Sequence, residues 1–293
     1  MNSRCSRSRL VPLGLSVTFL AVLTLAFAPS LYAQAPAANT STLFYLTASA
    51  LNVAAATAPA VAPRAGSVPS GTILPVILRT SFSFENSKAG ELLHGEIAQD
   101  VPLPDGTTIR RGSRILGHIA SATPASNADP AKISLQFDKL YLQDQSVPLV
   151  TNLRAIAGFM EIQEAGVPTE SPAEGSPSNW LDTQQIGGDS VYGVDGPVMS
   201  ADDTSKVIGK SVNGGVLVQA SGKPGTRCRG AVNGDEFPQA LWVFSGDACG
   251  AYGLEHLKIA HSGRTDPKGT IVLTSESPKL KLRSGDGLLL RVN

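Results

Sequence analysis

The chain has 293 residues, with 24 basic and 24 acidic side chains and a formal net charge of zero. Residues 1–33, read below as an export segment, carry three arginines and no acidic residue, so the remainder has a net charge of −3. That sign argues against a general nucleic-acid binder, whose affinity rests on neutralising phosphates.

Arg4, Arg7 and Arg9 precede an apolar run over residues 10–28, and Pro29-Ser30 breaks the run shortly before Ala33. This is the layout of a secretory signal peptide cut after Ala33. The run of about 19 residues is also near the length that spans a bilayer. The alternative is therefore an uncleaved anchor that holds the arginines in the cytoplasm and brings the chain into membrane contact. Both readings export the protein, to the periplasm, the outer membrane or the extracellular space.

Residues 34–68 are rich in Ala, Pro, Thr and Ser, with Pro36, Pro59 and Pro63 as punctuation. They read as a linker, with a short Ala-rich helix over 42–56 as the one competing feature.

From residue 69 to 160 short apolar runs alternate with Gly, Pro, Asp and Ser turns. The pattern predicts strands at 72–79, 92–101, 107–110, 114–121, 132–142 and 147–155. Within the fifth, Ile133, Leu135 and Phe137 fall on one face and Ser134, Gln136 and Asp138 on the other, the period of a half-buried strand. Pro104-Asp105-Gly106 supplies turn chemistry.

Residues 161–205 hold nine acidic residues, no Lys or Arg, and Pro168, Pro172 and Pro177. Such a stretch buries too little apolar surface to offset chain entropy, so it is expected to be a disordered acidic insertion, with Trp180-Leu181 as a sticky point. The β pattern resumes over 206–293, with strands expected at 206–220, 239–245, 253–260, 270–275, 279–283 and 287–292. This second segment has 12 basic and 7 acidic residues, and the acidic insertion could fold back on it through weak, salt-screened attraction. The fold class expected is all-β, a barrel or sandwich of short strands with a long disordered acidic insertion.

Cys5 lies in the export segment, leaving Cys228 and Cys249. An even pair in an exported chain is most simply a disulfide. Closing its loop of about 22 residues would stabilise by roughly 3 kcal/mol.

The stretch from about 69 to 155 resembles the TrbI-like family, the outer-membrane-complex β-barrel proteins of conjugation and type IV secretion. The resemblance rests on Pro69-Ser-Gly-Thr-Ile-Leu-Pro-Val-Ile-Leu78, on Gly95-Glu-Ile-Ala-Gln-Asp-Val101 and on Ile109-Arg-Arg-Gly-Ser-Arg-Ile-Leu-Gly117, followed by two further strands. It implies a barrel in the bacterial envelope and envelope proteins, or further copies of the chain, as partners. The matched positions are glycines, apolar residues and turn residues, so they imply fold and no chemistry. Family members insert a long helical hairpin that reaches the outer membrane. The corresponding acidic, proline-broken segment here makes no apolar pore-lining helix.

No residue pattern announces an enzyme. There is no G-x-S-x-G, H-E-x-x-H, phosphate loop or calcium loop. His256 and His261 fall on opposite faces of an expected strand, and two cysteines without a nearby histidine make a poor zinc site. No cofactor, metal or catalytic residue is therefore expected. The pairs Asp202-Asp203 and Asp235-Glu236 read as solvated loop charge. Trp242 and Phe244 share one strand face and form a candidate platform for stacking a sugar, or else core beside the disulfide. Arg110, Arg111 and Arg114 crowd one turn and form a candidate partner contact. His118 shares a face with Leu116 and Ala120 as a rim histidine. Together these features predict a non-enzymatic scaffold of the envelope. The alternative is a secreted carbohydrate-binding or carbohydrate-cleaving protein.

Overall fold

The alternation in Lys132-Ile133-Ser134-Leu135-Gln136-Phe137 reappears as alternating burial: Ile133, Leu135 and Phe137 are buried and the residues between them are not. A computed structural model describes residues 67–143, 145–167, 182–188, 190–193, 196–200, 203, 205–219, 237–260 and 268–293. The export segment, nearly all of the linker, Trp180-Leu181, Cys228, Asp202, Asp235-Glu236 and His261 lie outside the described residues.

The first β stretch holds β1 (Ile73–Leu78), β2 (Phe82–Ser83), β3 (Leu92–Ile97), β4 (Val101–Pro102), β5 (Thr108–Ile109), β6 (Arg114–Thr123), β7 (Ala131–Leu142), β8 (Gln145–Pro148) and β9 (Thr151–Ala157), followed by helix α1 (Phe159–Glu164). Then come β10 (Asp182–Gln184), β11 (Ser190–Tyr192), β12 (Pro197–Met199), β13 (Val207–Val212), β14 (Gly215–Val218) and β15 (Gln239–Trp242). The chain closes with β16 (Gly250–Tyr252), β17 (Leu257–Ile259), β18 (Ile271–Ser275), β19 (Lys281–Leu282) and β20 (Gly287–Val292). The structure is nearly all β. Among the described residues no helix is long and apolar enough to cross a membrane.

The main sheet runs β16-β9-β20-β1-β3-β6-β7-β18-β17, with β8 added to β7. Strands from both ends of the sequence alternate in it, and β1 pairs with β20, Ile73 opposite Arg291. The segments 69–160 and 206–293 therefore build one sheet. Laid flat, its eight gaps of about 4.8 Å would hold β16 and β17 some 38 Å apart. Only residues 253–256 link these two strands, a connection that reaches at most about 18 Å. The sheet must therefore curl back on itself around a common interior and bring its two outer strands near each other, and this curled sheet is called the barrel below. Its interior is one apolar cluster that includes Leu74, Val76, Ile115, Phe137, Leu273 and Leu290.

Strand burial shows what covers the barrel. On β6, Ile115, Gly117 and Ile119 are buried and the residues between them are more exposed, so that wall faces water on its outside. On β9 and β20 every residue is buried. The reason is a second, six-stranded antiparallel sheet in the order β10-β11-β12-β13-β14-β15. Its Val198, Val216 and Leu241, with Phe244 just after β15, form a second cluster with Ile73, Ala155 and Leu289 on the outer face of the barrel. All described residues fall within one compact unit, Thr57–Asn293.

Three expectations are corrected here. Part of the range expected to be a disordered insertion, 161–205, forms α1, β10, β11 and β12. Its few apolar side chains suffice because they land on an apolar wall: Ile186 and Val191 are each 6% exposed and Val198 is 0% exposed. The range expected as one strand, 206–220, holds instead the β13–β14 hairpin, with Val212 paired to Gly215 across Asn213-Gly214, a dipeptide that suits a two-residue turn. Residues 253–260 are interrupted by the 253–256 turn, where His256 has a positive φ of 67°.

Candidate functional site

The three arginines singled out by the sequence do not form one patch. The turn lies where expected, with Gly112 at φ 86°. However, β5 pairs with β4 and not with β6, so the stretch is no β5–β6 hairpin. Arg110 pairs with Asp100 at 2.9 Å. Arg111 lies beside the β13–β14 turn, its Nη1 3.6 Å from where a Cβ on Gly214 would sit. Arg114 lies over the Tyr141 ring, 5.1 Å from its centre. Each guanidinium thus has a different neighbour. His118 is a rim residue, with Nδ1 3.2 Å from Asp138 Oδ2.

Trp242 and Phe244 do meet, edge to face at 6.4 Å between ring centres. Phe244 is 0% exposed and belongs to the inter-sheet cluster, with partly buried Trp242 against it. The pair is core and not an exposed stacking platform. Of the expected disulfide, only Cys249 is among the described residues; it follows buried Ala248, and its N–H donates to the Tyr252 hydroxyl at 2.9 Å.

Buried polar side chains join the two sheets. Gln99, 0% exposed, accepts the Trp242 N–H at 2.6 Å and donates to the Val216 carbonyl at 3.0 Å. The Gln239 amide oxygen accepts the Ile73 N–H at 3.0 Å. Arg154, in the middle of β9, donates to the Ala248 carbonyl at 3.0 Å and also to that of Gly246. Burial pushes its pKa down to about 10, with Asp247 opposing the shift. The sequence offered no signal for these three, since a glutamine or arginine between apolar residues reads as a solvent-facing strand position.

One open concavity among the described residues has a volume of about 710 Å³, within the range of natural ligand pockets. It lies where α1, the 253–256 turn and the segment 277–286 converge. Its floor is tied by Asp286, whose two carboxylate oxygens accept the Phe159 N–H at 2.9 Å and the Arg283 N–H at 2.8 Å. Burial raises the Asp286 pKa, against the opposing pull of those two N–H groups. The approach is close: a Cβ on Gly285, at φ 102°, would lie 2.7 Å from the Phe159 ring. Only glycine suits that position.

The groove walls are of two kinds. Phe159 and Met160 stay 46% and 64% exposed, beside Leu254 and Leu280. Lys279, Lys281 and Arg283 line the groove too, exposed at alternate positions, with Leu280 partly buried and Leu282 buried between them. Among the described residues none of these three side chains enters an ion pair. Glu276 nearby is taken up by Lys258 at 2.5 Å and His256 at 3.7 Å, and Lys258 holds its pKa below the usual range. The lining acids are exposed Glu255 and buried Asp286. The sequence carried a signal for this wall in Lys279-Leu-Lys-Leu-Arg283, which the expected strand 279–283 absorbed as an ordinary half-buried element. Among the described residues no group of His, Cys, Asp and Glu is arranged to hold a metal ion.

No protein-family model matches the chain, and no curated protein matches it.

Proposed function

We propose that the protein is an exported, non-enzymatic scaffold of the bacterial cell envelope, working through contacts with other envelope proteins or with a second copy of itself. The observation that carries this reading is how its buried polar groups are used. Gln99 and Gln239 join the small sheet to the barrel, Arg154 ties β9 to the loop after β15, and Asp286 ties α1 to the β19–β20 turn. Side chains committed in this way stiffen a body that presents surface loops and grooves, as an interaction scaffold requires. The signal-like N-terminus and the resemblance of residues 69–155 to envelope barrels support the location. The slightly acidic charge of the chain after residue 33 supports protein partners over nucleic acid.

Cell fractionation of the tagged full chain, followed by cross-linking in intact cells, tests this reading. The expected result is protein in the periplasmic or envelope fractions and in a cross-linked species of higher mass. A wholly cytoplasmic, uncross-linked chain would overturn it, as would turnover of any cell-wall or plant glycan by the purified protein.

A further inference from the structure

We infer that the groove between α1 and the β19 segment binds an acidic peptide of a partner protein that also carries apolar side chains. This rests on the scaffold reading and names the partner's chemistry. Three observations carry it. The groove is open and of ligand size. One wall offers three exposed cations with no ion pair among the described residues, while the nearby acid Glu276 is already held by Lys258. The other wall offers Phe159 and Met160, apolar and exposed.

Charge selects the occupant. Lys279 sits in the Ser277–Leu280 turn, Lys281 opens β19 and Arg283 follows it, so three cations and the apolar Phe159 and Met160 line one groove. Acidic side chains of the ligand meet Lys279, Lys281 and Arg283, and its apolar side chains meet Phe159 and Met160. Exposed pairs of this kind each change affinity by about 1.5- to 5-fold, so losing all three is expected to weaken binding roughly tenfold.

The test uses the purified protein and fluorescent peptides in anisotropy titrations. One peptide alternates Glu and Leu over six residues; a second has the same composition with the Glu residues adjacent; a third alternates Lys and Leu. Both acidic peptides are expected to bind more tightly than the basic one, and the variants are compared with the alternating acidic peptide. Its affinity falls about tenfold in K279Q/K281Q/R283Q, persists in K279R/K281R, and falls in M160S and in 0.5 M salt, where the screening length is only a few ångströms. All substituted positions are exposed, and unchanged unfolding midpoints confirm intact variants. Equal affinity for the acidic and basic peptides, or for wild type and the triple variant, overturns the inference. Stronger retention on phosphatidylglycerol vesicles than on the peptide also overturns it, in favour of an anionic lipid. Envelope cross-linking that persists without any peptide binding sinks this inference and leaves the scaffold reading standing. A cytoplasmic location sinks the scaffold reading whatever the peptides do.

Discussion

Gln99 and Trp242 are 143 positions apart, yet the Trp242 N–H donates to the Gln99 side chain at 2.6 Å. The same amide donates to Val216, so one side chain answers two backbone groups at the irregular β14–β15 pairing, where the register shifts between Val216 and Leu217. A Cβ on Gly215 would lie 2.6 Å from the same amide oxygen. The barrel and the small sheet thus meet on a polar contact that apolar packing alone would not specify.

Gln99→Ala leaves the Val216 carbonyl and the Trp242 N–H without their partner in a dry site. Each such group costs about 1–3 kcal/mol. The expected loss for the two groups is about 2–6 kcal/mol in urea unfolding. An unchanged midpoint would mean that the small sheet is held by apolar contact alone.

Arg154→Met keeps the stem and removes the donors to the Ala248 and Gly246 carbonyls. Hydrogen bonds from a charged donor contribute about 1.5–3 kcal/mol each, but removing the buried charge also removes a desolvation cost. A net loss of about 2 kcal/mol is expected. Faster proteolysis near residues 246–248 should accompany it, measured by limited digestion and mass spectrometry. Arg154→Lys loses the two-carbonyl fork as well and is expected to fall between wild type and the methionine variant.

The pH dependence of Asp286 has a definite sign. Burial raises its pKa in the fold above the ordinary 3.8. The folded state then holds the proton more tightly than the unfolded chain. Its contribution to stability is full below about pH 3.8 and is lost as pH rises through the higher folded value. Asp286→Asn does not titrate. The stability of wild type relative to this variant should therefore decline as pH rises from 3.8 upward, followed by urea unfolding at several pH values. A difference that grows with pH would show that the N–H groups of Phe159 and Arg283 outweigh burial.

The proposed Cys228–Cys249 bridge predicts no free thiol in oxidised protein cleaved after residue 33, by thiol titration under denaturing conditions. Reduction should then lower stability by roughly 3 kcal/mol. Two titratable thiols would refute the pairing.

Strands whose apolar residues alternate were legible. The segment 132–142 is observed as Ala131–Leu142; the expected strand 287–292, an apolar run without alternation, is observed as Gly287–Val292. Closure of the barrel was not, because β1 and β20 pair across the whole chain and each carries apolar residues on both faces. The small sheet was partly hidden too. β10, β11 and β12 have three residues each, too few to show a period. Average composition also cannot reveal that Val191 and Val198 find an apolar wall to cover. At the sites, the arginine turn was placed correctly, but its separate neighbours were not readable. Trp242 and Phe244 were rightly put together, but the sheet that buries Phe244 was not foreseen as a second layer. The basic row was visible as Lys279-Leu-Lys-Leu-Arg283, but the groove beside it exists only because Gly285 and Asp286 bring α1 against that turn.

The central claim is an envelope scaffold that meets its partners through a defined surface. Site-specific photo-cross-linking in living cells addresses it most directly, with the photoreactive residue placed at Met160 in the groove or at exposed Asp129 in the loop between β6 and β7. The expected result is an adduct with a protein in the envelope fraction from position 160, none from position 129, and loss of the adduct in K279Q/K281Q/R283Q. Equal adducts from both positions, or a chain found only in the cytoplasm, would contradict it.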